Sequence, residues 1–148
     1  MPQSLAMVPL HLVFSTKHRE PLITDAVRAR LHRYMAVVAR NMDCPAIIVN
    51  SVEDHAHVLV EFGRTVTIAQ LVEEMKTSSS KWIKTQGVTP FAWQAGYGAF
   101  AVSASNVPRV RRYIENQREH HRRRGFQEEM RKLYTSSGVK FDERYVWD

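Results

Sequence analysis

The chain has a single cysteine, Cys44, among 148 residues. It can form no internal disulfide, and it has no CxxC partner for a structural zinc site. That usage fits a reducing compartment, and Cys44 is expected as a small core residue. Long apolar runs are also missing, the longest being a few residues against the ~20 that a membrane-spanning helix needs. The opening Met-Pro-Gln-Ser-Leu-Ala lacks the basic start and apolar stretch of a secretory signal. A cytoplasmic location is therefore expected. No internal repeat, low-complexity tract or linker interrupts the sequence. The length suits one domain over residues 1–148, with a core at about 8–121 and a basic helix and aromatic tail over 122–148.

Acidic residues are the scarcer charge, 15 against 21 Lys and Arg, for a net +6. Such a balance favours polyanionic partners through phosphate contacts and counterion release. The excess is concentrated: Arg109, Arg111, Arg112, Arg118, Arg122, Arg123 and Arg124 fall close together, with His120 and His121 between them. A solvated helix face and an anion-binding surface both account for the cluster. Hydrophobic residues at 44% and charged ones at 24% are the proportions of a compact globular chain.

The segment Val8 to Ser15 reads as a strand, and Val27, Leu31, Tyr34, Met35 and Val38 recur at helical spacing, with Thr24 or Asp25 as cap. Pro45 stops that helix. Ala46 to Val52 and His55 to Phe62 then form a hairpin, with Glu53 and Asp54 at its turn. Thr67 and Gln70 make a capping box for a second helix ending at about Thr85. A short strand is expected over Ala99 to Ser103, and a third helix from Ser105 or Asn106 with Pro108 in its first turn. Phe126, Met130, Leu133 and Tyr134 suggest one more helix. The order is that of an α+β, ferredoxin-like βαββαβ sandwich with an added C-terminal catalytic helix. Trp82 belongs to the apolar stripe of the second helix. Trp93 and Tyr97 either stack on unpaired bases or shape a loop, and the glycines around them favour the loop.

His55-Ala56-His57 places two imidazoles on one face of a strand, where they can grip one cation. The plainer reading is a pair of polar residues on a solvated strand face. Tyr113 and Gln117, four apart in a helical segment, project from one helix face. Two imidazoles and an amide oxygen leave positions open on Mg²⁺ or Mn²⁺ for a phosphodiester oxygen, and a tyrosine beside them can act as nucleophile. Arg109 or Arg112, or the metal itself, is the candidate for easing ionisation of its phenol.

The combination resembles the single-tyrosine HUH transposases of bacterial insertion sequences. Asp54-His55-Ala56-His57-Val58-Leu59-Val60, Trp93-Gln94-Ala95-Gly96-Tyr97-Gly98-Ala99-Phe100 and Tyr113-Ile114-Glu115-Asn116-Gln117 carry the likeness, which runs from about Leu10 to about His121. One departure is Ala56, where that family has a bulkier residue. The resemblance implies His55, His57 and Gln117 as ligands of Mg²⁺ or Mn²⁺, Tyr113 as nucleophile, and a 5′-phosphotyrosine intermediate. It also implies a substrate of single-stranded DNA marked by hairpins, and a homodimer in which the tyrosine helix serves the partner's histidines. Lys17 and Arg19, with Arg109, Arg112 and Arg118, are the candidate DNA contacts. Two rival readings are a non-catalytic ferredoxin-like nucleic-acid-binding module and a metal-dependent phosphodiesterase that uses water as nucleophile.

Overall fold

A computed structural model describes residues 2–148. Four antiparallel strands form one sheet in the order β2-β3-β1-β4, comprising β1 (Pro9–Ser15), β2 (Ala46–Ser51), β3 (His55–Glu61) and β4 (Gly98–Ala101). Between them run α1 (Asp25–Asn41) and α2 (Ile68–Thr85), which is the ferredoxin-like order expected. After β4 come α3 (Val107–Glu115), α4 (Gln117–Arg123) and α5 (Phe126–Ser137).

Strand alternation divides the side chains between two layers. Leu10, Leu12 and Phe14 of β1 join Ala56, Val58 and Val60 of β3 in a core with Val27, Leu31 and Met35 of α1 and Leu71, Met75 and Ile83 of α2. Cys44 lies fully buried in that core. Trp82 is half-buried at its margin, stacked on Tyr34 at 5.3 Å. The other sheet face carries His11, Val13 and Ser15 opposite Leu59, His57 and His55. It is covered by a second cluster of Val13, Phe100, Phe126, Met130 and Tyr134, with Phe141, Val146 and Trp147 packed on it. The tail aromatics therefore fold onto the chain's own sheet, whereas Tyr145 stays exposed.

Several boundaries differ from the sequence reading. β4 spans Gly98–Ala101 and a 3₁₀ turn occupies Ala104–Asn106 before α3 starts at Val107. Here the strand-like Val102 and Ser103 lead into the turn. Thr24 stands at the cap position of α1 without a capping hydrogen bond, and Asp25 pairs with Arg28 and Arg118. The capping box of α2 is present in both directions: Thr67 Oγ1 accepts from Gln70 N at 3.1 Å, and Thr67 N donates to Gln70 Oε1 at 2.8 Å. The expected tyrosine helix breaks at Asn116, so Tyr113 and Gln117 lie on successive helices. Gly98 lies where β4 passes beneath α5, and a Cβ there would press on Met130 Cε at 2.8 Å and on the Phe100 ring at 3.1 Å, so a larger residue would require the Met130 side chain to shift.

Candidate active site

His55 and His57 share one face of β3 and both are fully buried, which removes the solvated-face reading. Each ring is tied by its outer nitrogen. His55 Nδ1 lies 2.7 Å from Asp54 Oδ1, and His57 Nδ1 lies 2.8 Å from His11 Nε2 across the β1–β3 pair. Such outer hydrogen bonds fix ring orientation and tautomer, and here they leave both Nε2 atoms aimed away from the sheet.

Helix α3 is held over the sheet by Asn50 of β2, whose Nδ2 donates to the carbonyl of Ile114 at the helix end at 2.7 Å. This anchor brings the Tyr113 ring to 5.8 Å from His57 and 6.3 Å from His11, centroid to centroid. Despite the helix break, Gln117 reaches the same place, and its Oε1 lies 3.2 Å from His55 Nε2. The four predicted residues thus converge within one chain. They converge on a fifth, Glu129 of α5. Its Oε2 lies 3.2 Å from His55 Nε2 and its Oε1 lies 3.0 Å from His57 Nε2. Oε1 also accepts from Gln117 Nε2 at 3.2 Å and from the Tyr113 hydroxyl.

The basic residues behave differently from expectation. Arg109 and Arg112 are exposed, and the Tyr113 hydroxyl is turned towards Glu129. Burial, and then the Glu129 charge and hydrogen bond, push the phenol well above its ordinary value. The cation that counters this shift is Arg124, so the sequence assignment of that task to Arg109 or Arg112 is corrected. Arg118 pairs with Asp25 at 3.1 Å, Lys17 is exposed and Arg19 half-buried, so all five candidate DNA contacts keep to the surface or near it. Trp93 is buried with its indole N–H on Ser79 Oγ at 2.9 Å, and Gln94 clamps the end of β1 by accepting from Ser15 N at 2.8 Å. That segment shapes a loop, as expected, with Tyr97 more exposed than Trp93.

Charge in the centre is tightly coupled. Burial disfavours an imidazolium at His55, but the Asp54 and Glu129 hydrogen bonds outweigh it and raise the ring to about 9. Burial holds His57 below its ordinary value, and burial with the His57 charge takes His11 down to about 3. Burial also opposes ionisation of Glu129, yet the two histidines that face it keep its carboxyl well below the usual range. His55, His57 and Glu129 each offer a ligand atom, all within 4.8 Å of one another. Among the described residues His57 Nε2 and Glu129 Oε2 are buried without a hydrogen-bond partner. Inward-facing acceptors left unsatisfied in this way fit a cation.

His11 and Glu129 were not found from sequence. Each carried one signal: a polar residue within a buried pattern. His11 alternates with Val13 on an otherwise apolar strand, and Glu129 stands three residues after Phe126 on the buried stripe of α5.

A ferredoxin-like sheet with paired strand histidines and a helix-borne tyrosine above them is an architecture of tyrosine transposases. The chain belongs to the IS200-like transposase family, whose model matches residues 4–117, and so is an enzyme acting on DNA. Among solved structures it is similar to a protein of Deinococcus radiodurans R1 provisionally assigned as a transposase. The TM-score is 0.62 at 20% identity, over 79% of this chain and 98% of that one. It is also similar to a REP-associated tyrosine transposase solved with a REP hairpin, with TM-score 0.56 and 13% identity over 85% of this chain and 74% of that one. At these identities the likeness shows the fold. No curated protein matches the chain.

Proposed function

We propose that this transposase cuts and rejoins single-stranded DNA at hairpin-marked ends, with Tyr113 as nucleophile and His55, His57 and Gln117 as ligands of Mg²⁺ or Mn²⁺. The observation that carries the reading is the shared contact: the Tyr113 hydroxyl bonds the carboxylate that faces both histidine Nε2 atoms. Nucleophile and cation site are thus one place, which neither a binding module nor a water-using phosphodiesterase requires.

The phenolic oxygen attacks phosphorus, the bond from phosphorus to the 3′ oxygen breaks, and the leaving strand end takes up a proton as a 3′-hydroxyl. The 5′ phosphate stays on Tyr113, and attack by a 3′-hydroxyl reverses the step without ATP. A divalent cation, when bound, withdraws charge from the phosphodiester as a Lewis acid. Asp54 and His11 hold the two histidine rings in place, and Gln117 spans His55 and Glu129. Lys17, Arg19, Arg109, Arg112 and Arg118 supply surface cations for strand phosphates. The hairpin preference draws on the relative solved with a REP hairpin, and a DNA substrate suits a cytoplasmic location. A homodimer belongs to the same proposal, although one chain already contains every residue named, so each copy would use its own tyrosine.

The test is cleavage of hairpin oligonucleotides with Mn²⁺ by wild type and Tyr113→Phe. Loss of cutting in the variant supports the tyrosine. Continued cutting favours water as nucleophile, and tight binding with no cutting by either protein favours the binding module.

A further inference from the structure

We propose that Glu129 of α5 is itself a ligand of the metal ion, so that the site is a two-histidine, one-carboxylate set with Gln117 as an additional oxygen donor. The proposal rests on the reading above that His55 and His57 hold a divalent cation, and extends it to a residue outside the matched 4–117 segment.

Three features support it. Geometry comes first: Glu129 presents one oxygen to each ring, Oε2 at 3.2 Å from His55 Nε2 and Oε1 at 3.0 Å from His57 Nε2. Separations of this size are those of donor atoms sharing one ion, since metal–ligand bonds of about 2.0–2.2 Å put neighbouring ligands about 3 Å apart.

The second feature is the pair of unsatisfied atoms. His57 Nδ1 is engaged by His11, and its Nε2 points at a carboxylate oxygen of Glu129. Among the described residues His57 Nε2 and Glu129 Oε2 are both buried without a hydrogen-bond partner, and a cation held between the rings and the carboxylate would satisfy both.

The third is charge. Two imidazoles and an amide oxygen are neutral donors, a weak set for a hard cation, and one buried carboxylate supplies the anionic oxygen that Mg²⁺ and Mn²⁺ prefer. Glu129 is only 4% exposed and is fixed by Phe126 and Met130, its buried neighbours on α5. It does not reach the site as a flexible surface side chain. Because it also accepts the Tyr113 hydroxyl, the ligand positions the nucleophile against the metal. The ion therefore ties α5 to β3.

The test is Mn²⁺ binding to the full chain without DNA, followed by loss of the free-ion electron paramagnetic resonance signal, with melting measured in EDTA and in MnCl₂. Wild type, Glu129→Gln, Glu129→Asp, Tyr113→Phe and His57→Ala are compared. A ligand role predicts that Glu129→Gln weakens binding by at least the 10–100-fold typical of disturbed outer-shell partners, roughly as His57→Ala does. The rise in melting temperature with Mn²⁺ should vanish in both. Glu129→Asp should recover part of the affinity by restoring the carboxylate, and Tyr113→Phe, which removes only a hydrogen bond to that carboxylate, should lose less affinity than Glu129→Gln. If Glu129→Gln binds Mn²⁺ as tightly as wild type while His57→Ala does not, Glu129 is no ligand and the histidine site stands. If wild type binds no Mn²⁺, or His57→Ala binds it equally well, the histidine site and this proposal fall together. Should Glu129→Gln fail to fold in EDTA, Glu129→Asp decides: wild-type affinity in the Asp variant, despite its shorter reach, overturns the proposal.

Discussion

At the scale of single residues, the buried histidines give the fold a definite dependence on pH. His32 of α1 bonds Ser51 Oγ at 2.7 Å, and burial followed by the Arg28 charge lowers it to about 4. Between about 4 and the ordinary 6.5 the unfolded chain binds a proton at this ring that the folded chain refuses, so stability falls as pH falls through that window. The metal-free site has the opposite sign at His55, which is raised to about 9: its contribution is fully present below 6.5 and is lost as pH rises to 9. Urea midpoints at pH 7 and pH 5 should drop less in His32→Gln than in wild type, and an equal drop would assign the acid sensitivity elsewhere. The residue scale also shows what a sequence can carry. His55, His57, Tyr113 and Gln117 are legible because each belongs to a short local pattern, two apart on a strand or four apart along helical sequence. Glu129 is illegible by that route, because its role depends on α5 folding back over β3, and one polar residue on an apolar stripe does not say what it faces.

The elements owe their limits to local chemistry where that chemistry is strong. Reciprocal bonds between Thr67 and Gln70 start α2, and the sequence pattern locates that start to the residue. Thr67→Ala removes one side of the box and should lower stability by about 1 kcal/mol in urea unfolding, with site geometry intact. No change would mean that α2 is fixed by packing alone. The break between α3 and α4 is less readable, because helical spacing runs on through Asn116 while the backbone there leaves the helical region at φ −95° and ψ 23°. Asn50 bonds the carbonyl of Ile114 at this break from a strand more than sixty residues earlier, a long-range bond with no sequence signature. The break lets Gln117 turn its side chain towards both His55 and Glu129.

For the molecule as a whole, every residue of the site comes from one chain, with Tyr113 from α3, the histidines from β3 and Glu129 from α5. The arrangement differs from a shared site in which each tyrosine serves its partner's histidines, and mixing separates the two. Tyr113→Phe and His57→Ala proteins combined in equal amounts should stay inactive on hairpin DNA if each chain uses its own tyrosine, whereas recovered cleavage would indicate exchange between chains. The C-terminal segment, read from sequence as a basic helix and tail, closes the second core and brings Glu129 to the paired histidines. The proposed function stands or falls on covalent joining of Tyr113 to DNA at this site. Mass spectrometry of the peptides released after wild-type protein has reacted with a single-stranded hairpin oligonucleotide in Mn²⁺ tests it. The expected product is a phosphodeoxynucleotide on Tyr113 that is absent when EDTA replaces the metal. Cleaved DNA with no modified peptide, or a nucleotide on a different residue, would contradict it.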